Sequence, residues 1–106
     1  MLAVRRLAAG DVPALAAIVS SLPEYFTEDV AGQVERDCAV HPGWVLVGAA
    51  GITGFAVAAR KSPGAAEILW IAVGPACRGR GAGTMLLDHL LGDLAAEGVS
   101  ALWPTR

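Results

Sequence analysis

The residues best suited to chemistry form a glycine- and arginine-rich stretch at positions 78–83, which reads RGRGAG. It lies between an apolar run at 68–73 and a helical pattern at 84–97. Glycine lets the chain bend tightly and lets an anion approach the backbone closely. A helix that follows such a turn directs the positive end of its dipole at the same place. The sequence therefore predicts a site for a phosphate-containing ligand.

Two common nucleotide motifs do not fit this stretch. In a P-loop, a lysine and then a hydroxyl residue follow the second glycine, but Arg80 and Gly81 occupy those positions. In the dinucleotide fingerprint a third glycine closes the turn, but Thr84 stands there. An ATP- or NAD-binding domain is therefore disfavoured.

The pattern that fits is Arg78-x-x-Gly81-x-Gly83, preceded by Val73 and Pro75. It resembles the acyl-CoA pyrophosphate loop of the GNAT family of N-acetyltransferases, which reads [QR]-x-x-G-x-[GA]. The strand before it and the helix after it resemble the family's fourth strand and third helix. The resemblance implies an acyltransferase that uses acetyl-CoA as cosubstrate, needs no metal and transfers the acetyl group directly to a primary amine.

The same resemblance implies how acetyl-CoA is held. Backbone N–H groups of the loop would bind the pyrophosphate, and the main chain of the fourth strand would pair with the pantetheine arm. One of those N–H groups would polarise the thioester carbonyl. The implied contacts are Arg78, Gly79, Arg80, Gly81, Ala82, Gly83 and Thr84 in the loop, and Ile71, Ala72 and Val73 on the strand.

The candidate general base is Glu67, at the start of the same strand. It resembles the glutamate that acts as base in the histone-acetyltransferase branch of the family. Strict alternation would place it on one strand face with Leu69, Ile71 and Val73. A carboxylate is a poor acceptor for the proton of an amine, so burial or a relaying water would have to assist. An ordinary solvent-facing glutamate remains the alternative, and we assign no general acid.

The acceptor is expected near the first two helices, which wall the acceptor side in the family. Glu24, Tyr25 and Phe26 are the candidates, with Glu24 able to pair with an ammonium group. Alternatively, Tyr25 and Phe26 only pin the loop to the core. A small-molecule amine is the expected substrate, and a catalytically silent acyl-CoA-binding module is the alternative function.

Composition excludes several function classes. The chain has 106 residues and a formal net charge of −2, with its eight lysines and arginines scattered, so we expect no nucleic-acid partner. Cys38 and Cys77 do not form a disulfide framework, and we expect a cytoplasmic protein. The uncharged segment 42–59 contains several glycines and is better explained as a hairpin than as a membrane span.

The predicted fold class is α/β (α+β), with a mixed, mostly antiparallel central sheet flanked by helices in the order β-α-α-β-β-β-α-β. Apolar patterning and turn residues support these elements. A loop is predicted at 61–64. The predicted strands cover 2–7, 44–47, 52–59, 66–73 and 99–103, and the helices start at Asp11, Thr27 and Thr84.

A single domain covering residues 1–106 is the simplest organisation. Family members usually continue past the fifth strand with a helix and two more strands. We therefore expect a domain that is incomplete at its C-terminal end. A fifth strand at the sheet edge would expose unpaired backbone groups, which leaves a homodimer open.

Overall fold

A computed structural model describes residues 2–20, 30–74 and 81–103. Five strands form one sheet in the order β1-β2-β3-β4-β5. Neighbouring strands are antiparallel except for the last pair, β4 and β5, which are parallel. The strands are β1 (Ala3–Arg6), β2 (Gly43–Gly48), β3 (Gly51–Ser62), β4 (Ala65–Val73) and β5 (Ala101–Trp103).

Three α-helices connect these strands: α1 (Val12–Ser20), α2 (Val30–Val40) and α3 (Ala82–Ala96). A short 3-10 turn, Ala9–Asp11, precedes α1. The predicted fold class and the predicted order of elements are confirmed. Because α3 links two parallel neighbouring strands, it forms the crossover connection that such a pair requires.

Several element boundaries differ from the prediction, such as the start of α3, which is Ala82 and not Thr84. Two of the differences have a clear structural cause. The loop predicted at 61–64 is wrong in its first half, because β3 continues to Ser62 and still pairs with β4 there. The strand predicted from Val99 begins two residues later. The N–H of Val99 is used at the end of α3, where it donates to the carbonyl of Leu94 at 2.9 Å. Gly98, with φ of 95°, makes the turn that allows this bond.

Each face of the sheet carries its own hydrophobic core. Helices α1 and α2 cover one face, where Leu15 and Val34 pack against Phe55 and Val57. Helix α3 covers the other face with three leucines spaced four residues apart. These leucines, Leu86, Leu90 and Leu94, pack in one cluster with Trp44, Leu46 and Ala56. Leu91, on the same helix, is 40% exposed and lies outside this cluster.

Strand β4 does not keep a regular register against β3. Trp70 pairs with Val57 and Ile68 pairs with Ala58, so Leu69 is an extra residue on β4. Such a β-bulge bends its strand and interrupts the alternation of side chains. Both Leu69 and Trp70 pack against the core beneath α1 and α2. The side chains that follow the bulge therefore lie on the opposite faces from those that strict alternation along β4 predicts.

Candidate active site

The end of β4 lies against the start of α3. Val73, the last residue of the strand, and Ala82, the first residue of the helix, pack into the same hydrophobic cluster. Ala82 is buried with 2% of its surface exposed. The structure thus brings together the strand and the helix that the sequence predicts on either side of the phosphate loop.

Helix α3 begins without a capping side chain. Its N-cap is Gly81, in the left-handed conformation with φ of 70°, and no side chain hydrogen-bonds to the first turn. The first N–H groups of any helix lack acceptors within the helix. A Cβ atom built on Gly83 would meet nothing within 4 Å. The N-terminus of α3 therefore offers backbone donors and open space, which suits an anion such as a pyrophosphate.

Several predicted site residues lie outside the described residues. They include the loop residues Arg78, Gly79 and Arg80. The acceptor candidates Glu24, Tyr25 and Phe26 also lie outside. Their roles stay predictions. Of the predicted loop contacts, the structure describes Gly81, Ala82, Gly83 and Thr84.

The outer edge of β4 is covered by β5 only along its first part. Ala65, Ala66 and Glu67 pair with β5. Among the residues that the structure describes, no strand pairs with the outer edge of β4 from position 68 to 73. Successive residues of a strand direct their N–H and carbonyl groups to its edges. This segment, which contains the predicted contacts Ile71, Ala72 and Val73, can therefore accept an added extended chain.

The bulge corrects the predicted face of Glu67. Leu69 belongs with the core under α1 and α2, whereas Val73 belongs with the core under α3. Ile71 lies between Trp70 and Ala72, which both face the α1 and α2 side. The shared face predicted for Glu67 therefore holds for Leu69 and is wrong for Ile71 and Val73. Strict alternation failed because the extra residue resets it.

Glu67 itself is buried and ion-paired. Only 8% of its surface is exposed, and its Oε1 atom lies 3.0 Å from the Nζ atom of Lys61. Lys61 is the extra residue of a second irregularity, on β3, where Arg60 pairs with Ala66 and Ser62 with Ala65. The sequence prediction missed this partner, because it placed Lys61 in a loop. Extending the predicted β3 beyond Ala59 would have placed Lys61 next to β4, the strand that carries Glu67.

A second carboxylate contacts the bulged segment. The indole Nε1 of Trp70 donates to Oδ2 of Asp37 on α2 at 2.6 Å. On the opposite face of the sheet, Nε1 of Trp44 donates to Oδ2 of Asp93 on α3 at 2.7 Å. Trp44 is fully buried and Trp70 is partly buried.

Cys38, on α2, is a half-buried cysteine that packs against the core beneath α1 and α2. Burial is the main cause that raises its pKa to about 11, and the nearby carboxylates of Asp37 and Glu35 raise it further. A thiol needs its thiolate form to act as a nucleophile.

The described part of the chain contains no group of three His, Cys, Asp or Glu side chains placed to hold a metal. No helix among the described residues is both long and apolar enough to cross a membrane.

Several solved structures have a fold similar to that of this chain. An acetyltransferase from Desulfovibrio desulfuricans, described as of the GNAT family, is 21% identical, with a TM-score of 0.86 over 98% of this chain and 72% of that one. The ribosomal-protein-S18-alanine N-acetyltransferase of Escherichia coli is 24% identical, with a TM-score of 0.85 over 98% and 66%. Ard1 from Thermoplasma volcanium is 27% identical, with a TM-score of 0.73 over 95% and 70%.

A comparison with curated protein sequences gave no match. The sequence model of the acetyltransferase (GNAT) family, in contrast, matches residues 14–105. That range contains most of α1, all of α2 and α3, and β2 to β5, and so includes the uncapped start of α3 and the open edge of β4. The chain therefore belongs to the GNAT family of acetyltransferases, which transfer an acetyl group from acetyl-CoA.

Proposed function

We propose that this protein transfers an acetyl group from acetyl-CoA directly to a primary amine of a small molecule. The observation that carries the proposal is the junction of β4 and α3. A strand edge open from position 68 to 73 ends beside an uncapped helix start. An extended pantetheine arm and a pyrophosphate fit these two features in that order.

The reaction needs no covalent enzyme intermediate. The amine lone pair attacks the thioester carbon, the carbonyl oxygen becomes an oxyanion, and the carbon–sulfur bond then breaks to release the CoA thiolate. A backbone N–H of the segment Ile71–Val73 would stabilise the oxyanion, and one such donor contributes about 3–4 kcal/mol. The thiol of Cys38, with its pKa raised to about 11, does not compete with the amine for attack on the thioester carbon.

Glu67 is the proposed acceptor of the amine proton. Its carboxylate is enclosed and lies at the beginning of the strand that would carry the thioester. The ion pair with Lys61 holds one carboxylate oxygen at 3.0 Å. Proton transfer through a water would let the carboxylate act without breaking that pair.

A catalytically silent acyl-CoA-binding module is the second candidate. The ion pair between Glu67 and Lys61 favours it, because a carboxylate held by an ammonium group has a structural role that requires no catalysis. Both functions predict that acetyl-CoA binds. They differ in whether an amine releases free CoA thiol.

The test is a thiol-release assay with acetyl-CoA and a panel of primary amines. The panel contains a polyamine, an aminoglycoside, free amino acids and a peptide with an N-terminal alanine. We expect thiol release that saturates with one of the small amines. Release with the peptide alone would contradict the small-molecule acceptor. Binding of acetyl-CoA without release for any amine would support the silent module.

A further inference from the structure

We propose that the Trp70–Asp37 hydrogen bond positions the thioester-binding part of β4, so that both residues act as positioning residues in acetyl transfer. The inference rests on the proposed function, in which acetyl-CoA lies along positions 71–73. Neither side chain is proposed to touch the reacting atoms. They act through the backbone that follows the bulge.

The position of Trp70 in the strand carries the first step. It is the residue at which β4 resumes pairing with β3 after the extra residue Leu69. Every later pair, from Ile71 with Ala56 to Val73 with Gly54, follows from that register. A slip by one residue would turn each of these side chains to the other face and exchange the N–H and carbonyl groups along the open edge. A bulge needs a contact that fixes where it occurs.

The hydrogen bond to Asp37 is such a contact. At 2.6 Å it is a short bond to a carboxylate, in a partly buried setting. Hydrogen bonds to ionised groups are roughly twice as strong as neutral ones. It ties β4 to α2, whose Val30 and Val34 are buried in the core on the same face. The indole therefore cannot move to the other face without losing the bond and leaving that core.

The consequence is an accurate placement of the β4 backbone N–H relative to the thioester oxygen. Shifts of about 1 Å in a reacting group can lower a rate by about 100-fold. Without the bond, the bulge could occur at a neighbouring position, and the N–H aimed at the thioester oxygen would be misplaced. The pyrophosphate contacts at the start of α3 lie on another element and would be retained.

The protein contains a matched control for this bond. Trp44 and Asp93 make the same type of hydrogen bond at 2.7 Å on the opposite face, between β2 and α3. Their loss should reduce stability by a similar mechanism. It should leave the register of β4 unchanged, because β2 is separated from β4 by β3.

The experiment compares Trp70→Phe and Asp37→Ala with Trp44→Phe and Asp93→Ala in the full chain. The readout is the infrared carbonyl stretch of bound acetyl-CoA carrying a ¹³C-labelled acetyl carbonyl. In the wild type, a hydrogen bond from β4 lowers this frequency relative to free acetyl-CoA. We expect Trp70→Phe and Asp37→Ala to return it toward the free value while CoA still binds. Asp37→Asn, which keeps an acceptor oxygen, should restore most of the shift.

Turnover with the amine found in the thiol-release assay gives the second readout. We expect kcat to fall by between about tenfold and 100-fold in the Trp70 and Asp37 variants. Equal carbonyl frequencies in the two sets of folded variants would overturn the proposal. If the wild type bound acetyl-CoA with no carbonyl shift, the positioning role would fail while CoA binding stood. If it bound no acetyl-CoA, the proposed function would fail as well.

Discussion

At the residue scale, three ionisable side chains show how local contacts set chemical character. Glu67 is buried and forms an ion pair with Lys61. Cys38 is partly buried, and burial together with the carboxylates of Asp37 and Glu35 raises the pKa of its thiol to about 11. Asp11 accepts hydrogen bonds from Arg5 and from the N–H of Ala8 at the start of α1. Each contact leads to a separate prediction.

Replacing Glu67 with glutamine tests the proposed base. Glutamine keeps an oxygen that can accept a bond from Lys61 but cannot take up the amine proton. We expect turnover to fall by about 10²- to 10⁴-fold, the usual range for a general base. Acetyl-CoA affinity, measured by calorimetry, should be unchanged. Glu35→Gln, at an exposed position on α2, is the control. Full turnover in Glu67→Gln would remove this residue from the mechanism.

The thiol of Cys38 should resist alkylation in the folded protein. With a pKa near 8.5 in the unfolded chain and about 11 when folded, its thiolate population at pH 8 should be lower by a factor of about 200. In a Cys77→Ser background, iodoacetamide should modify the native protein at least that much more slowly than the urea-unfolded protein. Equal rates in the two states would show that burial does not protect the thiol.

Asp11 should make stability depend on acid. The bond from Arg5 is the main cause that lowers the pKa of this carboxyl. The stabilisation is therefore present above the ordinary pKa of about 3.9 and is lost as the pH falls through the lowered value. Asp11→Ala should lose about 0.2–1 kcal/mol of unfolding free energy at pH 7, the usual range for a solvent-exposed ion pair. In urea unfolding, the difference from the wild type should shrink at pH 3. Asp88→Ala, on the exposed side of α3, should show no such difference at either pH.

At the element scale, β4 carries the site because its two ends are held differently. Its start pairs on both edges, with β3 and β5, whereas its second half pairs with β3 only among the described residues. At its end, the N–H of Gly74 donates to the carbonyl of Thr53 at 2.6 Å. A Cβ atom on Gly74 would lie 3.0 Å from that oxygen, which is an unusually tight contact with backbone.

Gly74→Ala should therefore disturb the end of β4. Backbone atoms cannot move away cheaply, and we expect a loss of about 1–3 kcal/mol of unfolding free energy together with weaker acetyl-CoA binding. Gly92→Ala is the matched control, because a Cβ there meets nothing within 4 Å and the position is inside α3. That change should add about 0.4–1 kcal/mol. Denaturant unfolding and calorimetry measure both effects, and a neutral Gly74→Ala would contradict the close approach.

The sequence was sufficient to predict most elements but not the bulge. The leucines of α3 and the apolar run of β4 have clear periods, and both elements lie where predicted. The extra residue Leu69 has no periodic signature, because two adjacent apolar residues on one face look like part of a buried strand. The consequence was the wrong face for Ile71 and Val73 relative to Glu67. The Trp70–Asp37 bond joins positions 33 residues apart and depends on the tertiary packing of α2.

At the scale of the whole molecule, the proposed function gives the two faces of the sheet separate tasks. The α3 face supplies the helix start for an anion and a core closed by Trp44, over which the guanidinium of Arg6 lies at 4.8 Å from the ring centroid. The face covered by α1 and α2 carries the Trp70–Asp37 hydrogen bond. It also carries Glu67, because side chains alternate along the first part of β4. Acetyl-CoA would bind where these faces meet at the end of β4. This division predicts that the cosubstrate and the acceptor approach from different sides.

The central claim is that the pyrophosphate of acetyl-CoA binds at the start of α3. Calorimetric titration of the wild type, Gly83→Glu and Gly92→Glu tests it most directly. Gly83 has room for a side chain, and an acidic residue in the first turn favours the helix, so the fold should persist. We predict that Gly83→Glu weakens binding tenfold or more, or about 1.4 kcal/mol, while Gly92→Glu binds like the wild type. Equal affinity in all three proteins would show that the pyrophosphate does not bind at the start of α3.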